Sequence, residues 1–288
     1  MNPLENTAIM NRFQLFFDQG KFNLALRDSD SCNTKLSRAC SLETLYALGR
    51  IEEIYDRIEK TYKLDEGDIR LAAFSSYIEE QQKKATSNNF CRNPLSFLSF
   101  SNLKFHLKNY EDFIKEIINE LTNLKSIWEP SKKATHGGFQ TPIHMNLFSN
   151  SSEKISYLKS IILNELDSYY SKFEKESCSY IKKWPSNKNL KAWHVILKKQ
   201  GYQTAHIHDS GWLSGVIYLK VVPPLEKDEG AIEFSLNGEN YFDVNSPQLI
   251  HQPEAGNIVL FPSSLHHRTI PFSTDTDRIV IAFDLIPD

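Results

Sequence analysis

Apolar positions recur along this chain with two different periods. Between about residues 10 and 125 they fall three and four apart, the spacing that stacks side chains on one face of a helix. Leu45, Leu48, Ile51, Ile54, Tyr55 and Ile58 form one such stripe, with Ser41 ahead of it as a candidate cap. Ile69, Leu71, Ala72, Ala73, Phe74, Tyr77 and Ile78 form a second run. The polar stretch Lys63-Leu64-Asp65-Glu66-Gly67 between them has the length of a turn joining two helices. A further amphipathic helix is predicted through Phe113, Ile114, Ile117, Ile118 and Leu121, and another from about Glu153 to Lys175.

From Leu190 onward the period shortens to that of strands. Runs rich in Val, Ile, Phe and Tyr lie at 191–198, 203–208, 213–222, 231–235, 256–261 and 277–285, separated by turn signals such as Pro223-Pro224 and Glu254-Ala255-Gly256. Asn237-Gly238, between Glu233-Phe234 and Tyr241-Phe242, predicts a hairpin. Many short strands with frequent turns indicate a β-sandwich or jelly roll, and with helices packed outside it the pattern fits a double-stranded β-helix. The chain is therefore expected to be α+β. An α-helical region at 1–125 would precede a β domain at 126–288, with the joint near Trp128-Glu129-Pro130-Ser131-Lys132-Lys133.

The helix pair, with Gly49-Arg50-Ile51-Glu52-Glu53, resembles a tetratricopeptide-type repeat, and Phe22-Asn23-Leu24-Ala25-Leu26 reads as a degenerate earlier unit. A self-standing solenoid needs about three repeats. A helical cap on the β domain is thus favoured over a peptide-binding array, which remains the alternative.

Composition removes several classes. With 40% hydrophobic and 24% charged residues over 288 positions, the chain can bury a sizeable core and is not of disordered type. Thirty-three basic against 36 acidic residues give a net charge of −3, so no global basic field points to nucleic acid. No apolar run approaches the roughly 18 residues of a membrane span. The start, from Met1 to Asn6, lacks the features of a signal peptide, and a cytoplasmic location is expected. Cys32, Cys40, Cys91 and Cys178 form no C-x-x-C pair and read as reduced packing residues. Lys172 to Lys199 holds eight Lys and two Glu; a solvated face is the expected reading, with steering of an acidic substrate as the alternative.

The candidate chemistry lies on the strands. In His206-Ile207-His208 the i, i+2 spacing points both imidazoles to one face. Paired imidazoles inside a barrel are explained by a metal, since each neutral ring offers a lone pair while its other nitrogen donates elsewhere. Some 60 residues later, Leu265-His266-His267-Arg268-Thr269 offers a third histidine, and extended backbone allows only one of His266 and His267 to face the same way. Three such ligands on a facial triad leave coordination positions open. Alternation in Arg278-Ile279-Val280-Ile281-Ala282-Phe283 places Arg278 with Val280 and Ala282. An inward arginine requires an anion, and its planar fork suits a carboxylate. Asp277, Asp284 and Asp209 are the intramolecular candidates.

Taken together, these segments resemble a family of 2-oxoglutarate- and iron(II)-dependent oxygenases. The residues that carry the resemblance are Gly201-Tyr202-Gln203, His206-Ile207-His208, Ser210-Gly211-Trp212-Leu213-Ser214-Gly215-Val216 with Tyr218-Leu219, Leu260-Phe261-Pro262-Ser263, His267-Arg268-Thr269 with Pro271-Phe272, and Arg278-Ile279 with Ile281-Ala282-Phe283-Asp284. Trp128-Glu129-Pro130 and Gly138-Phe139-Gln140-Thr141 extend it, to roughly 128–288. The resemblance implies iron(II) held by His206, His208 and His267, with Arg278 on the distal carboxylate of 2-oxoglutarate and Ser214 bonding the cosubstrate. Dioxygen would be the second cosubstrate, and a peptide, a protein or a small molecule the substrate. The wider superfamily usually has a carboxylate where this chain has His208. Two alternatives therefore stand: a three-histidine cupin-like enzyme that uses no 2-oxoglutarate, and an inactive partner-binding barrel. Arg278 separates the first of these from the oxygenase reading.

Overall fold

The helical period of the first part resolves into five helices whose ends are set by local chemistry. The computed structural model describes residues 3–142, 144–149 and 151–288. Its first helices are α1 (Pro3–Asp18), α2 (Phe22–Cys32), α3 (Lys35–Ala47), α4 (Ile51–Thr61) and α5 (Ile69–Gln82). Thr34 and Ser37 form a capping box at the start of α3, and Asp68 accepts from the Leu71 amide at the start of α5. The stripe from Leu45 to Ile58 is divided between α3 and α4 rather than lying on one helix. Gly49 takes φ +71°, a left-handed conformation that ends α3 at little cost for a residue without Cβ. Ser41 is no cap; it lies inside α3 and bonds the Ser37 carbonyl and the Asp30 carboxylate.

The chain divides into two compact units, one of residues up to Arg92 together with Leu236–Ser246, the other of Asn93–Ser235 and Pro247–Asp288. In the first unit, the rings of Phe74 and Tyr77 lie 5.2 and 4.7 Å from that of Tyr241. Asn240 donates to Glu43 at 2.7 Å. These contacts explain why the predicted hairpin is not formed as expected. Gly238 and Tyr241 close a local turn, but Tyr241 leaves the sheet and is buried among aromatic side chains. Burying that ring outweighs a few edge-strand hydrogen bonds.

The second unit contains helices α6 (Tyr110–Thr122), α7 (Glu153–Phe173) and α8 (Ser179–Lys182). The change of period near 125 thus falls inside this unit, after α6. Ser152 caps α7, whose buried residues Ile155, Leu158, Ile161, Ile162, Leu166, Tyr169 and Phe173 keep the helical spacing. Among the described residues the unit also holds an antiparallel sheet of ten strands: β1 (Ser99–Asn102), β2 (Ile127–Trp128), β3 (Thr135–Gln140), β4 (Leu190–His206), β5 (Leu213–Lys220), β6 (Ile232–Ser235), β7 (Gln248–His251), β8 (Asn257–Pro262), β9 (His266–Thr269) and β10 (Arg278–Leu285). Its main path runs β1-β8-β5-β10-β4-β9-β6-β7, with β3 also on β4 and β2 on β3. This is the curled sheet of a double-stranded β-helix, and the α+β architecture expected from the sequence is observed.

Strand β4 connects two parts of that curl. Leu190–Leu197 pairs with β10, whereas Gln203 and His206 pair with Thr269 and His267 of β9. Between the two lie Gln200, at φ +63°, and Gly201, where a Cβ would meet the Lys198 carbonyl oxygen at 2.6 Å. The close approach requires glycine there. The irregularity turns the end of β4 toward β9, and the histidines sit at that end.

Candidate metal centre

His206 closes β4 and His208 follows two residues later, held by its amide on the Ser263 carbonyl at 3.1 Å. The bend at 207–212 is pinned further by Gly211 on the His208 carbonyl and by Trp212 on the Leu285 carbonyl. His267 lies opposite His206 across the β4–β9 ladder. The three side chains converge: a nitrogen from each lies within 4.8 Å of the others. His266, its neighbour on β9, lies outside the pocket that these rings line.

The second ring nitrogens explain the convergence. His206 Nδ1 lies 2.7 Å from the Thr204 carbonyl and His267 Nδ1 lies 3.1 Å from the Leu265 carbonyl. A carbonyl oxygen only accepts, so both rings carry their proton on Nδ1 and turn the Nε2 lone pair away from the backbone. His208 Nδ1 lies 2.6 Å from Asp284 Oδ1 and 2.9 Å from Ser214 Oγ. Burial, helped by His208 and then Lys133, pushes His206 down to about 3. Burial, followed by the two neighbouring histidines, holds His267 well below the ordinary imidazole range. Two rings with their Nε2 lone pairs turned inward, and the His208 ring converging on them, match the donor set of a divalent ion with open coordination positions. The residues fit a metal.

Arg278 begins β10 and lies in the same pocket, of about 380 Å³, with Val280 and Ala282 on its face of the strand. Its side chain is one of the largest fully buried groups. Nε donates to the Gly230 carbonyl at 3.2 Å, the guanidinium lies 5.0 Å over the Tyr218 ring, and Nη1 has no hydrogen-bond partner. Burial lowers its pKa while Tyr218 works in the opposite direction. Burial raises the Tyr218 hydroxyl to about 12. Of the carboxylates considered as partners, Asp277 pairs with Lys198 at 2.7 Å and Asp284 with His208. Asp209 is exposed at the pocket wall. Among the described residues no salt bridge involves Arg278, so no carboxylate among them neutralises this buried guanidinium.

Ser214 stands beside the histidine cluster, 2.9 Å from His208 Nδ1. It is fully buried behind His208, donates to Asp284 at 2.7 Å and lies 2.8 Å from Ser263 Oγ. The sequence reading missed Asp284 as the partner of His208. Its signal was present: the alternation that groups Arg278, Val280 and Ala282 continues to Asp284. Trp193 lines the pocket, its ring 5.4 Å from that of His208, and Lys132, Lys133, Met145 and Lys191 lie around the same cavity.

Acidification is expected to destabilise the metal-free chain. His194 is buried with Nδ1 on Thr141 Oγ1, and burial pushes it down to about 4 from 6.5. The unfolded chain therefore binds the proton first as pH falls. The stability is full above pH 6.5, and His194 alone loses about 3 kcal/mol by pH 4. Urea midpoints measured between pH 7.5 and 4 should fall steadily, and His194→Gln should flatten the decline. A midpoint that rises on acidification contradicts this assignment.

Residues 191–284 match the model of a family described as "Putative 2OG-Fe(II) oxygenase". No curated protein matches the chain. Among solved structures, the chain is similar to a prolyl-4-hydroxylase from Pseudomonas putida, with 12% identity, a TM-score of 0.45 and coverage of 66% of this chain and 92% of that one. It is also similar to a prolyl hydroxylase from Trichoplax adhaerens in complex with a peptide fragment of the hypoxia inducible factor oxygen degradation domain. There the identity is 16%, the TM-score 0.46, and the coverage 80% of this chain and 95% of that one. A third likeness is to HygX from Streptomyces hygroscopicus with nickel and 2-oxoglutarate bound, at 13% identity, a TM-score of 0.43 and coverage of 69% and 87%.

Proposed function

We propose, from the premise that residues 191–284 form a 2OG-Fe(II) oxygenase domain, that this chain hydroxylates a C–H bond of a substrate entering beside Trp193. Enzyme class and cofactors, iron(II), 2-oxoglutarate and dioxygen, are those of that domain. In this reading His206, His208 and His267 hold the iron and Arg278 holds the distal carboxylate of 2-oxoglutarate. The observation that carries it is the pairing, in one pocket, of three convergent imidazoles with a buried arginine whose Nη1 has no partner. A metal alone would leave Arg278 unexplained, because burying an unpaired guanidinium is costly. A diacid chelating the metal at one end and meeting the guanidinium at the other satisfies both.

Bound iron would supply the activation of dioxygen, coupled to conversion of 2-oxoglutarate to succinate and carbon dioxide. The chain's own residues do the rest. The carbonyls of Thr204 and Leu265 fix two rings as Nε2 donors. Arg278, with Tyr218 beneath its guanidinium, orients the diacid. Val216, Ile232, Phe261 and Val280, all buried, line the same pocket and keep water from part of it. Lys132, Lys133 and Lys191 ring the cavity with positive charge, which favours an anionic group on the substrate.

The test is turnover. The purified chain with iron(II), 2-oxoglutarate and oxygen should form succinate slowly without substrate and faster with a peptide or metabolite fraction that contains it. Succinate formation unaffected by removing iron or oxygen would refute the reading.

A further inference from the structure

We propose that Asp284 is a positioning residue of the centre, fixing His208 as an Nε2 donor and setting one buried negative charge a single hydrogen bond from the metal. The inference rests on the reading of the three histidines as ligands. It starts from an asymmetry among them. His206 and His267 rest their Nδ1 atoms on backbone carbonyls, whereas His208 rests on a carboxylate at 2.6 Å. Three neutral imidazoles leave both charges of a divalent ion uncompensated. Asp284 is the carboxylate that contacts one of those rings, and it is only 4% exposed.

The surroundings of Asp284 are built to hold it in place. Asp284 and Ser214 are direct partners across the β10–β5 ladder, and Ser214 donates to the same Oδ1 at 2.7 Å. Ser214 and Ser263 lie 2.8 Å apart, which extends the buried polar chain by one hydroxyl. At Gly211 a Cβ would meet Ser263 Oγ at 2.5 Å and the Asp284 carboxyl carbon at 3.0 Å, so a larger residue would displace this group. Among the described residues, no lysine or arginine pairs with Asp284. A buried carboxylate held by one hydroxyl and an imidazole lacks a fixed countercharge, and such burial is costly. An ion on His208 Nε2 supplies that charge through the ring. The arrangement is a carboxylate–histidine–metal relay, in which the outer carboxylate orients the ligand and raises its basicity.

The experiment uses the full chain, with Co²⁺ as a spectroscopic probe. Asp284→Asn keeps an oxygen acceptor for the ring N–H but removes the charge; Asp284→Ala removes both. Both variants should bind Co²⁺ about 10- to 100-fold more weakly than wild type, with shifted Co²⁺ absorption bands. Ring ¹⁵N shifts of His208 in the metal-free chain should report an Nδ1–H ring in wild type and in the asparagine variant, and mixed tautomers in the alanine variant. A merely structural role would leave the tautomer and the bands unchanged. If the alanine variant fails to fold, the asparagine variant still carries the affinity and spectral tests. Wild-type affinity and spectrum in the asparagine variant would overturn the proposal. A wild-type chain that takes up no Co²⁺ would overturn the ligand reading, and this proposal with it.

Discussion

His267→Ala should abolish tight divalent-metal binding, as should His206→Ala and His208→Ala, while His266→Ala retains it. The ring centroids of His206 and His267 lie 4.3 Å apart, and His208 lies 5.2 and 5.0 Å from the two. Each ring contributes one of three donors, so each loss leaves a two-ligand site. The expected loss therefore exceeds the roughly 10- to 100-fold that follows from removing an outer partner of a metal-binding histidine. The control is informative because His266 is adjacent, similarly buried and on the same strand, yet lies outside the pocket. Calorimetric titration with Mn²⁺ or Co²⁺ under identical conditions would give the four affinities. If His266→Ala lost the metal and His267→Ala kept it, the alternation assigned to β9 would be wrong.

The second large effect is expected at Arg278. Arg278→Ala should leave metal affinity near the wild-type value but weaken 2-oxoglutarate by about 2–5 kcal/mol, as for truncation of a desolvated charge pair, or roughly 30- to several-thousand-fold. Arg278→Lys should recover only part of this, because an ammonium lacks the planar fork. Stability should move in the opposite direction. Without a diacid, the buried guanidinium is a liability, since Nη1 is unsatisfied and, among the described residues, no carboxylate neutralises it. Arg278→Met should then be as stable as the ligand-free parent or more so. Unchanged 2-oxoglutarate affinity in Arg278→Ala would favour the three-histidine enzyme that does not use this cosubstrate.

The elements that position these groups were legible wherever period and polarity agreed. The period-two runs group His206 with His208 at the end of β4, and Arg278 with Val280 and Ala282 on β10, and the structure places all five at the pocket. Local signals misled where a distant partner was decisive. Asn237-Gly238 carries a strong hairpin signal, but Phe74 and Tyr77 draw Tyr241 away from the sheet. Leu45 to Ile58 keeps an unbroken helical spacing across Gly49, and only the backbone at Gly49 reveals two helices. Short strands such as β1, β3 and β7 lack the apolar alternation of a buried strand. β1 and β7 are held by their ladders with β8 and β6, and β3 by its ladder with β4. The roles of Ser214 and Asp284 were hidden for a related reason. Their meaning depends on a cross-strand register that sequence spacing does not give.

The most direct measurement is an anaerobic titration of the full chain with iron(II) and then 2-oxoglutarate, followed by visible absorption. Chelation of the iron by a 2-oxo acid produces a charge-transfer band. The account predicts that this band saturates at one equivalent, is absent from His267→Ala, and in Arg278→Ala requires far higher 2-oxoglutarate. A wild-type chain that binds iron but develops no band at saturating 2-oxoglutarate would contradict it.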